Sequence, residues 1–576
     1  MGTIADKLTR IITTKEDIRK ALISKGYDVP TSIPFKEYAK MILDLPCKAD
    51  SFPDIEGIVA RYSASGLTNE QMAENPVWVD KTGNGRDLQL KNFSWKGMSG
   101  VGGYVVDIDE WGTNSTAAYF ERNSIKITAT FKENASLGLL YHNIKLRQSC
   151  VLKVTGIPEG CDAFLDDRLG NRFYMSEDGV YEIIPSNFLA EALYLSIEKY
   201  PERWYGSKLT IEQLPLYPGA LIFDGVDDYD TCNNFPILTK EKGYTVVALR
   251  QWISIDEGPC GLVSNVKHWF EDGAFVLESL YPENYYTTSF GATRGQKDLP
   301  HILTYQTSKS YNGNLIATGS YKGTDVLHVG RLASTNVGTR SNVAIWELVF
   351  LDHDATEEEL TKIKDYFVKT YPWLFPNQAW TVTGKTNEDE DRATIANITG
   401  NGNNLVLSNF GFAEGSGYNE EGEYAGYLVT DGVDDRVVSS SFTLNKDWTI
   451  VGNWKMLQPE ANKLSGIVKQ NSLFIYNHVD GLNISINDAW NFFKLKDIRS
   501  VNAICSDGRI YLNDWTEIID SKQQTVNESV GTLVIGILGN VYTSLAFKNL
   551  GFYNNQNLSK DDCIKAYNYL QTLKSK

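Results

Sequence analysis

Histidine and methionine are scarce, six of each in 576 residues, and the seven cysteines stand far apart. Cys47, Cys150, Cys161, Cys232, Cys260, Cys505 and Cys563 contain no C-x-x-C pair and are odd in number, so neither a disulfide framework nor a zinc site is expected. They read as free, mostly buried thiols of a chain made in a reducing cytosol. No two of His142, His268, His301, His328, His353 and His478 lie at ligand spacing. No run approaches about 18 consecutive apolar residues, so no helical membrane span is expected. Residues 1–20 lack the uninterrupted apolar stretch of a secretion signal. Basic side chains are the minority, 55 against 72 acidic, for a net charge of −17. Nucleic acid and anionic membranes call for a cationic surface, so neither is expected as a partner. No G-x-S-x-G, H-E-x-x-H or glycine-rich phosphate loop occurs.

What the chain does have is aromatic bulk: 13 Trp, 31 Tyr and 24 Phe, within 42% hydrophobic residues. That is enough to bury several cores, and the length suits three to five domains at about 100–200 residues each.

The chain also repeats itself. Arg61-Tyr-Ser-Ala-Ser-Gly66-Leu-Thr-Asn69-Glu70 matches Ala379-Trp-Thr-Val-Thr-Gly384-Lys-Thr-Asn387-Glu388. The segment from Asp80 to Phe93, with Thr-Gly-Asn-Gly after its first residue or two, matches that from Asn397 to Phe410. Asp224-Gly-Val-Asp-Asp228 matches Asp431-Gly-Val-Asp-Asp435, and Leu327-His-Val-Gly330 matches Leu533-Val-Ile-Gly536. Thr356-Glu-Glu-Glu359 matches Ser559-Lys-Asp-Asp562 near the end of each copy. Gly83 and Gly400 are 317 residues apart but Asp224 and Asp431 only 207, so the first copy holds about 110 extra residues. An insertion of that size is itself domain-sized and must leave and return through a surface loop.

Within each copy the local signals are those of strands. Thr245-Val-Val-Ala-Leu-Arg-Gln-Trp-Ile253 and Trp448-Thr-Ile-Val-Gly-Asn-Trp454 read as strands, rich in β-branched and aromatic residues. Tyr311-Asn-Gly313 and Tyr511-Leu-Asn-Asp514 read as strands ending in hairpin turns. Each copy then closes on a helix with Thr356 or Ser559 as N-cap and Glu359 or Asp562 at its third position. Leu360, Ile363 and Phe367, or Cys563, Ala566 and Leu570, supply its apolar face. This constellation resembles the concanavalin-A-like, laminin-G-like jelly roll. The fold expected is therefore mainly β: two such sandwiches, one interrupted by a small inserted β-sandwich, preceded by a helical arm.

The expected organisation is an arm over 1–52, a first jelly roll over 53–103 and 218–374, an insertion over 104–217, and a second jelly roll over 375–576. The insertion has its own alternating runs around 125–131, 150–156, 179–184 and 208–213, and its general appearance is that of a carbohydrate-binding module. In the arm, Ile4, Leu8, Ile11, Ile18 and Leu22 fall at three- and four-residue spacing, with Lys15 interrupting the seam. A short coiled coil and an amphipathic helix folded back on a second helix near Tyr38 and Ile42 both satisfy that pattern.

Thr3-Ile-Ala-Asp-Lys-Leu-Thr-Arg-Ile-Ile, Lys15-Glu-Asp-Ile-Arg-Lys-Ala-Leu-Ile, Lys25-Gly26 and Phe35-Lys-Glu-Tyr-Ala-Lys-Met-Ile42 are similar to the opening segment of many bacteriophage tail and fibre proteins. That resemblance implies a virion appendage, a tail or head fibre. Residues 1–45 would attach it to other virion proteins and oligomerise it, as a trimer. It would be assembled in the host cytoplasm and released by lysis, and would present lectin-like β-domains to host surface polysaccharide. A spacer or decoration protein without ligand is the alternative. A polysaccharide depolymerase is disfavoured: the E-x-D-x-x-E string of concanavalin-A-like glucanases is absent, so no catalytic residue is assigned and the chain is not expected to be an enzyme.

Two sets of side chains are candidates for binding. Asp224, Asp227, Asp228, Asp431, Asp434 and Asp435 offer hard oxygens at close spacing, and calcium is the cofactor they could hold. The competing reading, that the aspartates bond main-chain N–H groups of their own turn, is preferred because no further acidic ligand can be placed beside them. For sugar rings, aromatic faces beside turns are wanted. Trp269, Tyr281, Tyr285, Tyr286, Trp490, Trp204 and Tyr205 satisfy that, although core or edge packing is the preferred reading for each taken singly.

Overall fold

In the computed structural model, residues 52–574 are described except for a set of internal segments, the longest being 184–192, 265–275, 281–300, 307–324 and 520–528; before residue 52 only Lys15, which is helical, is described. The expected arm over 1–52 therefore lies almost wholly outside the described residues, as does the hairpin expected at Tyr311. Among the described residues no helix is long and apolar enough to cross a membrane.

The described structure is mainly β, and every ladder in it is antiparallel. One sheet of the first sandwich runs in the order His301–Gln306, Thr245–Ser254, Asn342–Leu351, Leu221–Asp224, Gly100–Val101, with Ile58–Ser63 also pairing on Asn342–Leu351. The facing sheet runs Val276–Leu280, Cys260–Ser264, Leu327–Val329, Tyr229–Cys232, Leu88–Lys91, Val77–Trp78. Tyr62, Trp78, Phe223, Trp252 and Phe350 fill the space between them. Leu88–Lys91 is buried at every second residue, the period that puts alternate side chains on one face. Its counterpart Leu405–Ser408 has the same alternation in the second sandwich. That sandwich packs Trp380, Phe442, Trp448 and Phe552 between two eight-stranded sheets, one centred on Trp448–Met456 and Leu545–Asn554, the other on Arg436–Leu444 and Ser529–Ile535.

The chain departs from the first sandwich after Gly100–Val101 and returns at Leu221–Asp224, and those two strands are ladder neighbours, Val101 opposite Leu221 and Gly100 opposite Ile222. Gly102 N–H donates to Ala220 O at 2.9 Å and Tyr217 N–H to Gly102 O at 2.8 Å, continuing the seam outward. Between them lie two five-stranded sheets. One contains Lys126–Phe131, Cys150–Thr155, Gly179–Ile183 and Lys208–Leu214. The other contains Gly138–His142, Asp162–Asp166, Arg172–Met175 and Leu193–Glu198. Trp111, Phe131, Leu165, Ile197 and Trp204 are buried between the two.

The closing helices, Glu357–Thr370 and Lys560–Gln571, start where the sequence indicates. Thr356 and Glu359 form a reciprocal capping box, and Ser559 accepts from Asp562 N–H at 3.1 Å. Such caps stabilise a helix by about 1 kcal/mol each. Ile363, Phe367, Cys563, Ala566 and Leu570 are buried in an apolar cluster that also takes in Val151, Val180 and Leu214 of the insertion. Beside that cluster the Lys548 Nζ lies 2.5 Å from Glu182 Oε1, both side chains 4% exposed, tying the insertion to the second sandwich.

The two copies solve one position differently. In the first, Arg61 lies 3.4 Å from Glu347, which also accepts from Tyr371 Oη at 2.9 Å, and burial pushes the Glu347 carboxyl up to about 7. In the second, Thr381 faces Asn549 in the register that Ser63 keeps with Glu347, and Asn549 donates to Gln571 at 2.9 Å. A neutral amide pair replaces a buried ion pair, and neither is open to solvent.

Candidate functional site

The repeated motifs turn out to be brackets. Asn69 Oδ1 accepts from Val101 N–H at 2.7 Å while its Nδ2 donates to Val101 O, and Asn387 does the same to Tyr418 at 2.8 Å each way. The glycine before each partner leaves room: a Cβ on Gly100 or Gly417 would lie 2.5 Å from the asparagine oxygen. Asp80 Oδ1 accepts from the N–H groups of Arg61 and Thr82, and Asn397 Oδ1 from those of Ala379 and Thr399. Asn92 and Asn409, both at φ 68°, donate to the carbonyls of Asp227 and Asp434. These residues are shared because the fold needs them, and their polar atoms are already engaged.

The aspartate turns follow the same logic. Asp224, Asp227 and Asp228, and likewise Asp431, Asp434 and Asp435, each bring one oxygen within 4.8 Å of the others. Asp224 Oδ1 accepts from Val226 N–H at 2.7 Å and Asp227 N–H at 3.3 Å, and Asp431 Oδ1 repeats both distances with Val433 and Asp434. Asp228 Oδ2 accepts from Asp224 N–H and its Oδ1 from Ser99 Oγ at 3.0 Å; Asp435 makes the same bonds to Asp431 N–H and Ser416. Burial, reinforced by Asp224, pushes the Asp228 carboxyl up to about 7, and burial pushes Asp435 to about 6. A cation would need these groups ionised and turned outward, so the hydrogen bonds and the raised proton affinity both support the turn reading.

Of the aromatic candidates, Trp269, Tyr281, Tyr285 and Tyr286 lie outside the described residues. Trp490 falls in Ala489–Phe493, which pairs with Gly481–Ile486. Trp204 corrects the sequence expectation of an exposed loop aromatic. Pro201–Trp204 is a single helical turn, and it rotates Trp204 inward, where the ring is fully buried 4.8 Å from that of Phe131. Such a ring is a core residue and cannot face a sugar.

Tyr205, one residue on, is 60% exposed. Gly206 N–H donates to Phe131 O, so Tyr205 sits at the end of Lys126–Phe131 beside Lys132. The Lys132 ammonium in turn lies 4.3 Å over the ring of Tyr119, which is 68% exposed. Both open tyrosines belong to this corner of the insertion, Tyr119 with the Lys132 ammonium over its ring and Tyr205 next to the Gly206 bond to Phe131. Tyr119 went unremarked in the sequence because it lies mid-strand, in Ala118–Asn123, with no turn residue beside it. Tyr174, 44% exposed on the edge strand Arg172–Met175, is a third open ring of the insertion.

No family model matches the sequence, and no curated protein is significantly similar to it. Among solved structures, a truncated AlyQ with CBM32 and alginate lyase domains aligns over 58% of this chain and 92% of its own, at 10% identity and a TM-score of 0.19. Trypanosoma rangeli sialidase in complex with sialic acid aligns over 78% and 83%, at 9% identity and a TM-score of 0.26. Scores this low carry no argument about function, which therefore rests on the residues of this chain.

Proposed function

We propose that this chain is a glycan-binding appendage protein of a bacteriophage virion. Its β-sandwiches would meet host surface polysaccharide, and residues 1–45 would attach it, as a trimer, to other virion proteins. The observation that carries the binding half is the corner formed by Tyr119, Lys132 and Tyr205. Large exposed rings have no core to fill, and aromatic faces beside a hydrogen-bond donor suit a sugar ring. The virion half rests on the likeness of residues 3–42 to the opening of phage tail and fibre proteins.

The test is a glycan array probed with the full chain and with Tyr119→Ala and Tyr205→Ala, together with antibody labelling of intact particles. The proposal expects array binding that both substitutions weaken, and label on the particle that is lost when residues 1–45 are removed. Binding indifferent to both substitutions would remove the corner from the account, and unlabelled particles would remove the virion role.

One observation favours the alternative, a spacer without ligand. The asparagines and the first and last aspartates common to both copies are spent on internal bonds, and what their turns leave most exposed is Val226 and Val433, apolar side chains with no hydrogen bond to offer a sugar. An array without hits, on particles that do carry the chain, would select that reading.

A further inference from the structure

If the shared residues are scaffold, a function peculiar to one copy should lie where the copies differ. One such difference falls on the outer face of the first sandwich, at the end of Tyr229–Cys232. The ring of Tyr229 is bracketed by two guanidinium groups, Arg331 Cζ at 3.8 Å and Arg340 Cζ at 4.6 Å from its centroid. Arg331 and Arg340 face each other in an isolated antiparallel bridge, which fixes both on the same side. Arg331 is 5% exposed and its Nη2 lies 2.9 Å from His328 Nδ1. Burial and the neighbouring Arg331 push His328 down to about 3, so it is neutral and accepts from Arg331 without cancelling its charge. Arg340 is half-buried, and its Nη1 is shielded from water without a hydrogen-bond partner among the described residues. Lys91 stands opposite Tyr229 in the ladder and adds a third cation.

Among the described residues neither guanidinium makes an ion pair. Asp230 points to the opposite face of its strand, fully buried, and both of its oxygens lack a donor. Burial, with Asp228 beside it, holds its carboxyl well above the usual range, while Arg331 pulls the other way. Cations gathered out of water without a partner are costly, and a fold that needed only packing would not collect them. The second copy shows as much: at the positions of Asp230, His328 and Arg331 it has Val437, Val534 and Ile537.

We propose that Arg331 and Arg340, held against Tyr229, bind an anionic substituent of a sugar, a carboxylate or a sulfate, so that the glycan this chain recognises is acidic. The proposal rests on the glycan-binding reading and names the class of glycan. A planar guanidinium fork takes either oxyanion through two parallel hydrogen bonds, and two forks on one ring define an orientation. The chain as a whole carries a charge of −17 and repels polyanions, so retention of one reports a local site and not general attraction.

Affinity electrophoresis of the full chain tests this in gels containing polygalacturonate, carboxyl-reduced polygalacturonate, dextran sulfate or plain dextran. Retardation is expected from an acidic polymer and not from its neutral counterpart; which of the two acidic polymers retards separates carboxylate from sulfate. Arg340→Gln should weaken retention about tenfold or more, the worth of one charged hydrogen-bonded contact. Arg331→Lys keeps the charge, loses the fork, and should weaken it as well, with the melting temperature of each variant reporting that it folds. Retention by acidic polymers that survives both substitutions overturns the site. Binding to neutral glycans alone overturns the acidic assignment and leaves the glycan-binding reading standing, whereas no binding to any glycan overturns both.

Discussion

Trp204 and Tyr205 are neighbours in the chain with opposite environments, and substituting each by alanine should give opposite results. Trp204 is fully buried in the insertion, against Phe131. A tryptophan buries up to about 250 Å² of surface, which at about 25 cal/mol per Å² bounds the loss near 6 kcal/mol. Truncations of this kind cost about 3–5 kcal/mol once the surroundings relax. Among the described residues the indole N–H has no hydrogen-bond partner, so Trp204→Phe forfeits packing alone and should cost well under half as much.

The whole chain holds several sandwiches and will not unfold in one step, so the effect must be read locally. Hydrogen exchange followed by mass spectrometry on peptides spanning Lys126–Phe131 and Lys208–Leu214 does this. At about 1.4 kcal/mol per tenfold, Trp204→Ala should speed exchange there by about a hundredfold to a few thousandfold. Peptides from Asn342–Leu351 in the first sandwich should not change. Tyr205→Ala should leave all of them within a factor of about two, since exposed substitutions stay within about 0.5 kcal/mol. Protection in Lys126–Phe131 that survives Trp204→Ala would refute the assignment of Trp204 to the core and return it to the list of open rings.

Other outcomes follow from buried charge. Asp228 and Asp435 bind protons more tightly folded than unfolded, with values near 7 and 6, so their stabilising effect is complete below about pH 4 and is lost as pH rises through those values. Asp228→Asn keeps an acceptor for Asp224 N–H and should flatten the fall in hydrogen-exchange protection of Leu221–Asp224, taken relative to the intrinsic rate, between pH 5 and about 7.5; an unchanged slope would count against the burial argument. Lys548→Met leaves Glu182 buried and unpaired and should cost about 3–5 kcal/mol, while adding Glu182→Leu should restore most of it, as hydrogen exchange of peptides from Gly179–Ile183 and Leu545–Asn554 in the single and double variants will show. If the aspartate turns hold themselves by hydrogen bonds, adding calcium or a chelator should move the melting temperature by less than about 1 °C; a rise of several degrees with calcium would restore the metal reading.

Periodicity and capping made most of the fold legible. Thr356 and Ser559, the alternation in Leu88–Lys91, and the unequal offsets that reveal the insertion all act over a few residues or by direct repetition. What sequence could not show is contact at a distance. Asn69 and Asn387 are plainly equivalent in the two copies, yet that each clamps a main-chain amide some 32 residues on needs the folded chain. Trp204 misled for a different reason: proline and glycine nearby signal a loop, but one helical turn decides which of two adjacent rings goes inward. Arg331 and Arg340 become neighbours only through a bridge across eight intervening residues, and no local pattern announces it.

The pairing of Gly100–Val101 with Leu221–Asp224 has a consequence for how such a chain can change. Ladder neighbours lie about 4.8 Å apart, so the first sandwich presents the two cut ends of its own fabric as one graft point. Any module whose termini meet can be spliced there without moving a strand of the host. The freedom is bounded on the far side, where Glu182 meets Lys548 and Val151, Val180 and Leu214 enter the shared apolar cluster. A replacement module must offer an acid and an apolar patch on that one face, while the corner bearing Tyr119 and Tyr205 is free to vary with whatever it meets.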